Sequence, residues 1–214
     1  YWTMGVGKIY HHAEGDADAW DQWGGRQSWN NLKKYIGPNG VSGLPNPEMF
    51  DFGPVDCSDD EMSDMVHVKW AIERLGQQQE KPFFLAVGLI TPHLPHYTPV
   101  AYYNQYPLDT VELPPVLPGD LDDLPPMGRK FTRYFDTTPM CHLNMLRYGL
   151  WHMSVASYLA CATFTDHCVG LLLDALAKSP YAENTIIVLW SDHGFHLGEK
   201  MHWEKRSLWE ESTR

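Results

Sequence analysis

The spacing of apolar positions along the chain predicts two helices. After Ser58 and Glu61, which have the spacing of a capping box, apolar residues recur at helical intervals until Gly76. A second helical pattern extends from about Met153 to Lys178. Its predicted apolar face comprises Val155, Leu159, Ala162, Val169, Leu172, Leu173 and Leu176.

Two uninterrupted apolar runs of strand length accompany these helices. The first covers residues 83–90 and ends at Thr91-Pro92, and the second covers residues 185–190. Continuous apolar runs are typical of parallel strands that are covered on both faces. The order of helix, buried strand, crossover, helix and buried strand predicts an α/β fold with a mostly parallel sheet and helices on both faces.

Two other stretches lack a regular period. Residues 15–54 are rich in Gly, Pro, Asn and Trp, and we expect a long irregular excursion there, anchored by Trp20, Trp23 and Trp29. Prolines recur between Tyr97 and Asp136, which predicts extended and turn segments with little helix.

Composition narrows the class of protein. A chain of 214 residues with 43% apolar residues is long enough for one domain with a sizeable core. The net charge of -11 argues against a general nucleic-acid-binding surface, because phosphate backbones require basic patches. We expect no membrane span, since no apolar stretch reaches the about 18 residues that one needs. The four cysteines have no metal-ligand spacing.

Ionisable residues follow both apolar runs. His93 comes shortly after the first, and Asp192 and His193 follow the second. Ligands in open α/β sheets bind outside the carboxyl ends of the strands. An Asp-His pair in this position can reach one cation, with Gly194 allowing a tight turn behind it. The alternative is that Asp192 caps a turn and His193 is a surface residue.

Basic residues form two further groups in this acidic chain. Lys8 and His11 follow an apolar segment near the start, without the hydroxyl residue that a phosphate-binding P-loop requires. Lys200, Lys205 and Arg206 follow the Asp-His pair and suit an oxyanion, although a solvated charge run is the alternative interpretation.

Together, three motifs resemble the sulfatase family, most of all its iduronate-2-sulfatase-like branch. They are residues 7–11 (GKIYH), residues 81–95 (KPFFLAVGLITPHLP) and residues 191–199 (SDHGFHLGE) with Trp203 and Lys205. The resemblance implies an alkaline-phosphatase-like α/β fold that hydrolyses sulfate esters with a formylglycine, made from Cys or Ser, and a calcium ion. It implies a sulfated small molecule or glycan as substrate and a secreted, periplasmic or lysosomal location.

The resemblance also assigns roles to individual residues. The matched positions are Asp192 and His193 as metal ligands, Lys8 and His11 at the nucleophile and sulfate, His93 on the substrate side and Lys205 at the sulfate. His93 is our choice for the acid that protonates the leaving alcohol. His193 is a nitrogen donor, so residue chemistry alone favours zinc, whereas the resemblance favours calcium.

Part of the family's machinery has no counterpart in the sequence. The nucleophile motif, Cys/Ser-x-Pro/Ala-x-Arg, follows none of the four cysteines, and the early pair of metal-binding aspartates has no match. We therefore expect residues 1–214 to be an internal part of one sulfatase catalytic domain, without a signal segment and inactive alone.

Two alternatives stay open. One is a zinc-dependent phosphodiesterase or phosphatase of the same superfold, because phosphoryl and sulfuryl oxyanions pose similar electrostatic problems. The other is a catalytically dead homologue that binds a sulfated glycan.

Overall fold

The computed structural model describes residues 1–12, 17–47, 49–132 and 141–213. The strands are β1 (Trp2–Gly7), β2 (Gln22–Trp23), β3 (Phe52–Val55), β4 (Phe83–Gly88), β5 (His96–Pro99), β6 (His196–Leu197) and β7 (Trp203–Glu204). The α-helices are α1 (Ser63–Leu75), α2 (Val100–Tyr103), α3 (Pro126–Thr132), α4 (His142–Arg147), α5 (Trp151–Ala177) and α6 (Glu210–Thr213). Short 3-10 helices cover Ala17–Ala19, Trp29–Tyr35, Asp59–Glu61 and Glu199–Met201.

Parallel pairing dominates the strands. In the larger sheet, β1 lies between β2 and β4 and is parallel to both, with Gly7 opposite Gly88. A second parallel pair joins β3 to β5, and β6 and β7 form a short antiparallel pair. Helices α1 and α5 pack against each other, and α1 also contacts β1 and β4. This mixed, mostly parallel α/β architecture confirms the predicted fold class.

Helix α1 confirms the first helix prediction but begins later than expected. The Ser58 backbone N–H donates to Glu61 Oε2 at 3.0 Å, as a capping box requires, but this cap opens a 3-10 turn. The α-helix itself starts at Ser63 and ends before Gly76. Its Met65 and Val68 are buried in the core that the helix shares with α5.

Helix α5 matches its predicted length, but the predicted apolar face was wrong in part. Ala162 and Leu173 are exposed. The buried residues include several small ones: Ser154, Val155, Ala156, Ser157, Ala160, Cys161, Phe164, Cys168 and Leu176. The physical reason is that α1, α2, β3 and β5 cover different parts of this long helix, and small side chains allow them a close approach.

The apolar core has two main parts. Val55, Val68 and Phe164 belong to the part between α1 and α5. The second part surrounds Trp203 and includes Leu94, the residue after His93. Burial of each large side chain stabilises the fold by about 1.5–3 kcal/mol. The second part therefore anchors the segments that carry His93 and Lys205.

The prediction of a buried strand at residues 185–190 was wrong. The segment belongs to no strand among the described residues, and Ile186, Leu189 and Trp190 are 91%, 76% and 75% exposed. Strand β4 is also less covered than expected, with Phe84 53% exposed. A parallel strand is buried only where neighbouring strands and helices cover it, and the described residues supply β4 with one strand neighbour, β1.

The two irregular stretches contain more regular structure than expected. Strands β2 and β3 lie within residues 15–54, of which residues 15, 16 and 48 are outside the described residues. Strand β5 and helices α2 and α3 lie within or overlap residues 97–136, of which residues 133–136 are outside the described residues. Proline is tolerated in an edge strand and in the first turn of a helix. The prolines of these stretches therefore do not prevent short strands and helices from forming.

Helix α5 also meets the length and hydropathy criteria of a membrane span, with a mean hydropathy of 1.4, although the sequence analysis expected no such segment. A single helix of this kind is weak evidence, because the core helix of a soluble protein meets the same criteria. Within the apolar window 28% of the residues are buried, and Phe164 and Cys168 of α5 are fully buried in the core shared with α1.

Candidate active site

The ends of β1 and β4 bring two predicted site segments to one edge of the sheet. Gly7 and Gly88 end the two parallel strands side by side, and the Lys8 N–H donates to the Gly88 carbonyl at 2.8 Å. A Cβ on Gly7 would lie 2.0 Å from that carbonyl oxygen, and Gly7 has a φ of +84°. Only glycine allows this approach without strain. Lys8 and the turn carrying His93 therefore leave the sheet together.

His93 lies in the turn that follows β4. Its backbone N–H donates to the Ile90 carbonyl at 2.8 Å, and its ring Nδ1 lies 2.7 Å from the Leu94 carbonyl oxygen. Because a carbonyl only accepts, Nδ1 carries the proton and Nε2 of the neutral ring holds the lone pair. Burial lowers the pKa of His93, and the nearby positive charges of Lys205 and Lys8 lower it further.

The turn after residues 185–190 carries the candidate metal ligands. Lys8 Nζ lies 3.5 Å from Asp192 Oδ2, which in turn lies 3.7 Å from His193 Nε2. His193 Nδ1 donates to the Gly194 carbonyl at 2.7 Å, so Nε2 is the acceptor nitrogen. Burial acts to raise the pKa of Asp192, but the charge and the hydrogen bond of Lys8 act against it, and that pKa lies below its usual range. Asp192 is therefore an ionised carboxylate near neutral pH.

Lys205 approaches the same turn from the segment between β6 and α6. Its Nζ lies 3.0 Å from His193 Nε2, and its carbonyl lies 2.9 Å from His202 Nε2. The backbone of this segment is left-handed at four non-glycine residues, namely Lys200, Met201, Glu204 and Arg206. Such conformations persist where the surroundings hold them, often at functional sites. Burial and the neighbouring charge of Lys8 lower the pKa of Lys205.

His11 lies at the exposed rim of this group. The Arg26 guanidinium donates to the carbonyls of Tyr10 and His11, both at 3.2 Å, and so holds the segment after Lys8. The positive charge of His12 lowers the pKa of His11 most, followed by burial and the charges of Lys205 and Lys8. The structure thus brings the positive groups of the Lys8–His12 segment, of Arg26 and of Lys205 close to one another.

This arrangement suits a bound oxyanion. Two ammonium groups, Lys8 and Lys205, lie against one ionised carboxylate and a neutral imidazole in a chain whose overall charge is -11. Preorganised positive groups of this kind stabilise negative charge that develops during a reaction. Of the four free thiols, Cys57 has a pKa raised by burial to about 11, and burial also raises the pKa of Cys161 and Cys168. These three thiols are therefore poor nucleophiles.

Asp192 and His193 are the candidate ligands of a cation. Asp192 Oδ2 and His193 Nε2 lie 3.7 Å apart, a separation that two ligands of one cation can have, but Lys205 Nζ lies 3.0 Å from the same nitrogen and would have to move for an ion to bind there. Within residues 1–12, 17–47, 49–132 and 141–213, no group of three or more His, Cys, Asp or Glu side chains is arranged to hold a metal. Calcium takes about 6–8 oxygen ligands, so further ligands are needed.

Six site residues were predicted from the sequence, and the structure brings four of them into contact: Lys8, Lys205, Asp192 and His193. The charges of Lys8 and Lys205 lower the pKa of the other two, His93 and His11. Asp64 and His67, which are buried on α1 beside the ends of β1 and β4, were not predicted. Their signal in the sequence was a pair of polar residues one helical turn apart on the apolar side of a predicted helix.

Comparison with known proteins shows to which family this chain belongs. The sequence profile of the sulfatase family matches residues 3–214. The chain belongs to the sulfatase family. It is 38% identical over 227 residues to a sulfatase of Formosa agariphila and 29% identical over 233 residues to human iduronate 2-sulfatase. Each alignment covers 100% of this chain and 43% or 42% of the relative, so the chain spans less than half of their length.

A solved structure supports the fold of this sulfatase chain. The phosphonate monoester hydrolase of Silicibacter pomeroyi superposes with a TM-score of 0.65 and 21% sequence identity. The superposition covers 87% of this chain and 37% of the hydrolase chain. At this identity the likeness concerns the fold, which is the alkaline-phosphatase-like α/β fold that the resemblance implied.

Proposed function

We propose that this chain forms part of the catalytic domain of a sulfuric ester hydrolase. The observation that carries the proposal is the contact of Lys8 with Asp192 and of Lys205 with His193, at 3.5 Å and 3.0 Å. These contacts collect positive charge around one ionised carboxylate at a strand edge, as an oxyanion site requires. Membership of the sulfatase family supports sulfate as that oxyanion.

In this proposal each residue of the chain has a defined task. Lys8 and Lys205 bind the sulfate oxygens and offset the negative charge that builds on them. His11 borders the sulfate at the exposed rim, next to the nucleophile. His93 faces the substrate, and its protonated Nε2 gives a proton to the leaving alcohol oxygen.

Asp192 and His193 would hold a cation, for which the family resemblance favours calcium and the imidazole donor favours zinc. Such an ion, when bound, polarises the sulfate oxygens. We propose that the nucleophile, a formylglycine in this family, and the remaining metal ligands come from polypeptide outside residues 1–214. The 43% coverage of the Formosa relative supports this division. The isolated chain should then be inactive, and turnover of a sulfate ester by purified residues 1–214 would refute that part.

The substrate class is a sulfated carbohydrate in this proposal. Its support is the names of two relatives, iduronate 2-sulfatase and the N-acetylglucosamine-6-O-sulfatase of Bacteroides thetaiotaomicron, the latter 46% identical over 57 residues. The names of other relatives, a choline-sulfatase and an arylsulfatase, widen the panel of esters that has to be tested. For a secreted, periplasmic or lysosomal enzyme, such glycans would be accessible.

Replacement of Asp192 in the complete catalytic domain tests the function. We expect Asp192→Ala to lose bound metal, measured by elemental analysis, and to lose hydrolysis of 4-nitrophenyl sulfate. Asp166→Ala on the exposed side of α5 is the matched control and should keep both. A sulfated-glycan-binding protein without activity would bind its glycan equally well with and without Asp192 and in the presence of chelator. Faster hydrolysis of 4-nitrophenyl phosphate than of the sulfate would favour the zinc phosphodiesterase or phosphatase.

A further inference from the structure

Helix α1 carries a buried carboxylate and a buried imidazole that face the ends of β1 and β4. Asp64 and His67 are one helical turn apart, and each side chain is 1% exposed. Burial of a carboxylate costs free energy unless hydrogen bonds compensate for the lost water. The partners of these two groups therefore indicate what the pair does.

Asp64 fixes the start of the turn that carries His93. Its Oδ1 accepts the Ile90 N–H at 2.7 Å and its Oδ2 accepts the Thr91 N–H at 2.8 Å. Each carboxylate oxygen thus holds one of two successive backbone donors just beyond β4. Hydrogen bonds to an ionised partner are stronger than neutral ones, so this link resists displacement.

His67 fixes the segment beside Lys8. Its Nε2 accepts the Gln27 backbone N–H at 2.9 Å, so the proton of the neutral ring is on Nδ1. Nδ1 lies 3.5 Å from Asp64 Oδ1, and it has no hydrogen-bond partner among the described residues. A Cβ on Gly7 would lie 2.9 Å from this nitrogen, so the ring packs directly against the residue before Lys8.

The segment that His67 holds continues into the site. The Gly7 N–H donates to the Gly25 carbonyl at 2.8 Å, and Arg26 donates to the Tyr10 and His11 carbonyls. Residues 25–27 therefore connect the buried imidazole with both Lys8 and His11. Asp64 and His67 together contact the supports of three candidate site residues, although neither side chain reaches the site itself.

We propose that Asp64 and His67 are positioning residues that align the Lys8–His11 segment with the His93 turn around one sulfate group. The proposal rests on the sulfatase function proposed above. It requires that loss of either side chain misplaces the site residues while the fold is retained. Small displacements of catalytic groups lower rates strongly, by on the order of 100-fold for about 1 Å.

The first variant is Asp64→Asn in the complete catalytic domain. The amide presents an NH2 group to one of two backbone donors, so one of the two bonds is lost. We expect kcat to fall by about 30-fold to about 100-fold, with KM within about threefold, because Lys205 still binds the sulfate. Asp51→Asn is the matched control, since Asp51 is 0% exposed and accepts the backbone N–H groups of Val41 and Ser42. An equal loss of kcat in both variants would show a general structural effect and overturn the proposal.

The second comparison uses His67→Leu and His67→Gln. Leucine removes the acceptor for Gln27, whereas the glutamine carbonyl oxygen can replace it. We expect His67→Leu to lower kcat by about 30-fold or more and His67→Gln to restore most of it. If both variants have the wild-type kcat, the proposed role of His67 is wrong.

Amide hydrogen exchange tests the pair without turnover. In Asp64→Asn, exchange should accelerate by about tenfold or more at Ile90 or at Thr91, whichever loses its acceptor, but not at Gln27, and His67→Leu should accelerate it at Gln27 only. If the wild-type domain hydrolyses no sulfate ester, the sulfatase function fails, and the exchange pattern alone then decides whether the pair supports these segments. Unchanged exchange at all three amides would overturn the positioning proposal.

Discussion

The Lys205 ammonium lies 3.0 Å from His193 Nε2 and joins the segment after β6 to the turn after residues 185–190. His193 Nδ1 is bonded to the Gly194 carbonyl, so its other nitrogen is an acceptor that points at the ammonium. Burial and the charge of Lys8 lower the pKa of Lys205, which means that the ammonium is poorly solvated and repelled by its neighbour. A bound oxyanion would relieve both effects.

Removal of this ammonium should lower sulfatase activity. In the complete catalytic domain we expect Lys205→Met to reduce kcat/KM for 4-nitrophenyl sulfate by about 100-fold to about 1,000-fold, because one preorganised positive charge at the anion is lost. Lys200→Met is the matched control on the same segment, since its Nζ binds Asp120 Oδ1 at 2.6 Å, away from the site contacts. A Lys205→Met domain with wild-type kcat/KM would contradict the assignment.

The close approach of β1 and β4 should make Gly7 irreplaceable. Gly7→Ala places a Cβ 2.0 Å from the Gly88 carbonyl oxygen at a φ of +84°, so we expect the free energy of unfolding to fall by about 3 kcal/mol. Urea unfolding measures this loss. Gly37→Ala has no atom within 4 Å of the new Cβ and should change stability by less than about 0.5 kcal/mol. If the two variants had the same free energy of unfolding, the close approach of β1 and β4 at Gly7 would not require glycine.

The pattern of apolar residues was enough to predict α1 and β4, because each has a regular pattern within its own sequence. The stripe around Val68 and the Gly76 stop predicted α1, and the run that begins at Phe83 predicted β4. The family resemblance alone predicted that Lys8 and Asp192 lie together, since the strand expected at residues 185–190 is not present among the described residues.

Burial and hydrogen bonds that depend on residues far away in the sequence could not be predicted from local patterns. The buried face of α5 follows the elements that pack on it, so small residues such as Ala160 are buried while Leu173 is exposed. Asp64 and His67 were missed because their partners, the backbone donors of Ile90 and Gln27, lie 26 and 40 residues away in sequence. Residues 185–190 have the composition of a buried strand, but burial needs neighbours that the described residues do not provide.

That exposed segment should make residues 1–214 self-associate when purified alone. Ile187, Leu189 and Trp190 are consecutive or nearly so and are 59%, 76% and 75% exposed, and an exposed apolar patch is a site of intermolecular association. We expect the double variant Ile187→Lys and Leu189→Lys to shift the chain towards monomer in size-exclusion chromatography with light scattering. Leu117→Lys, at a position 68% exposed elsewhere, is the control and should leave association unchanged. Undiminished association of the double variant would place the contact on another surface.

The state of His93 predicts how activity depends on pH and on the leaving group. Burial lowers its pKa below 6.5, so the ring is mainly neutral at neutral pH, and only the protonated ring can donate a proton from Nε2. Since the acid form is present below this pKa, kcat/KM for an alkyl sulfate should fall by about tenfold per pH unit as the pH rises above it. His93→Gln should remove this dependence and lower alkyl sulfate hydrolysis by about 100-fold or more, with a much smaller loss for 4-nitrophenyl sulfate, whose leaving group needs no proton. Equal losses for the two esters, or a pH dependence that persists in the variant, would assign the proton to another residue.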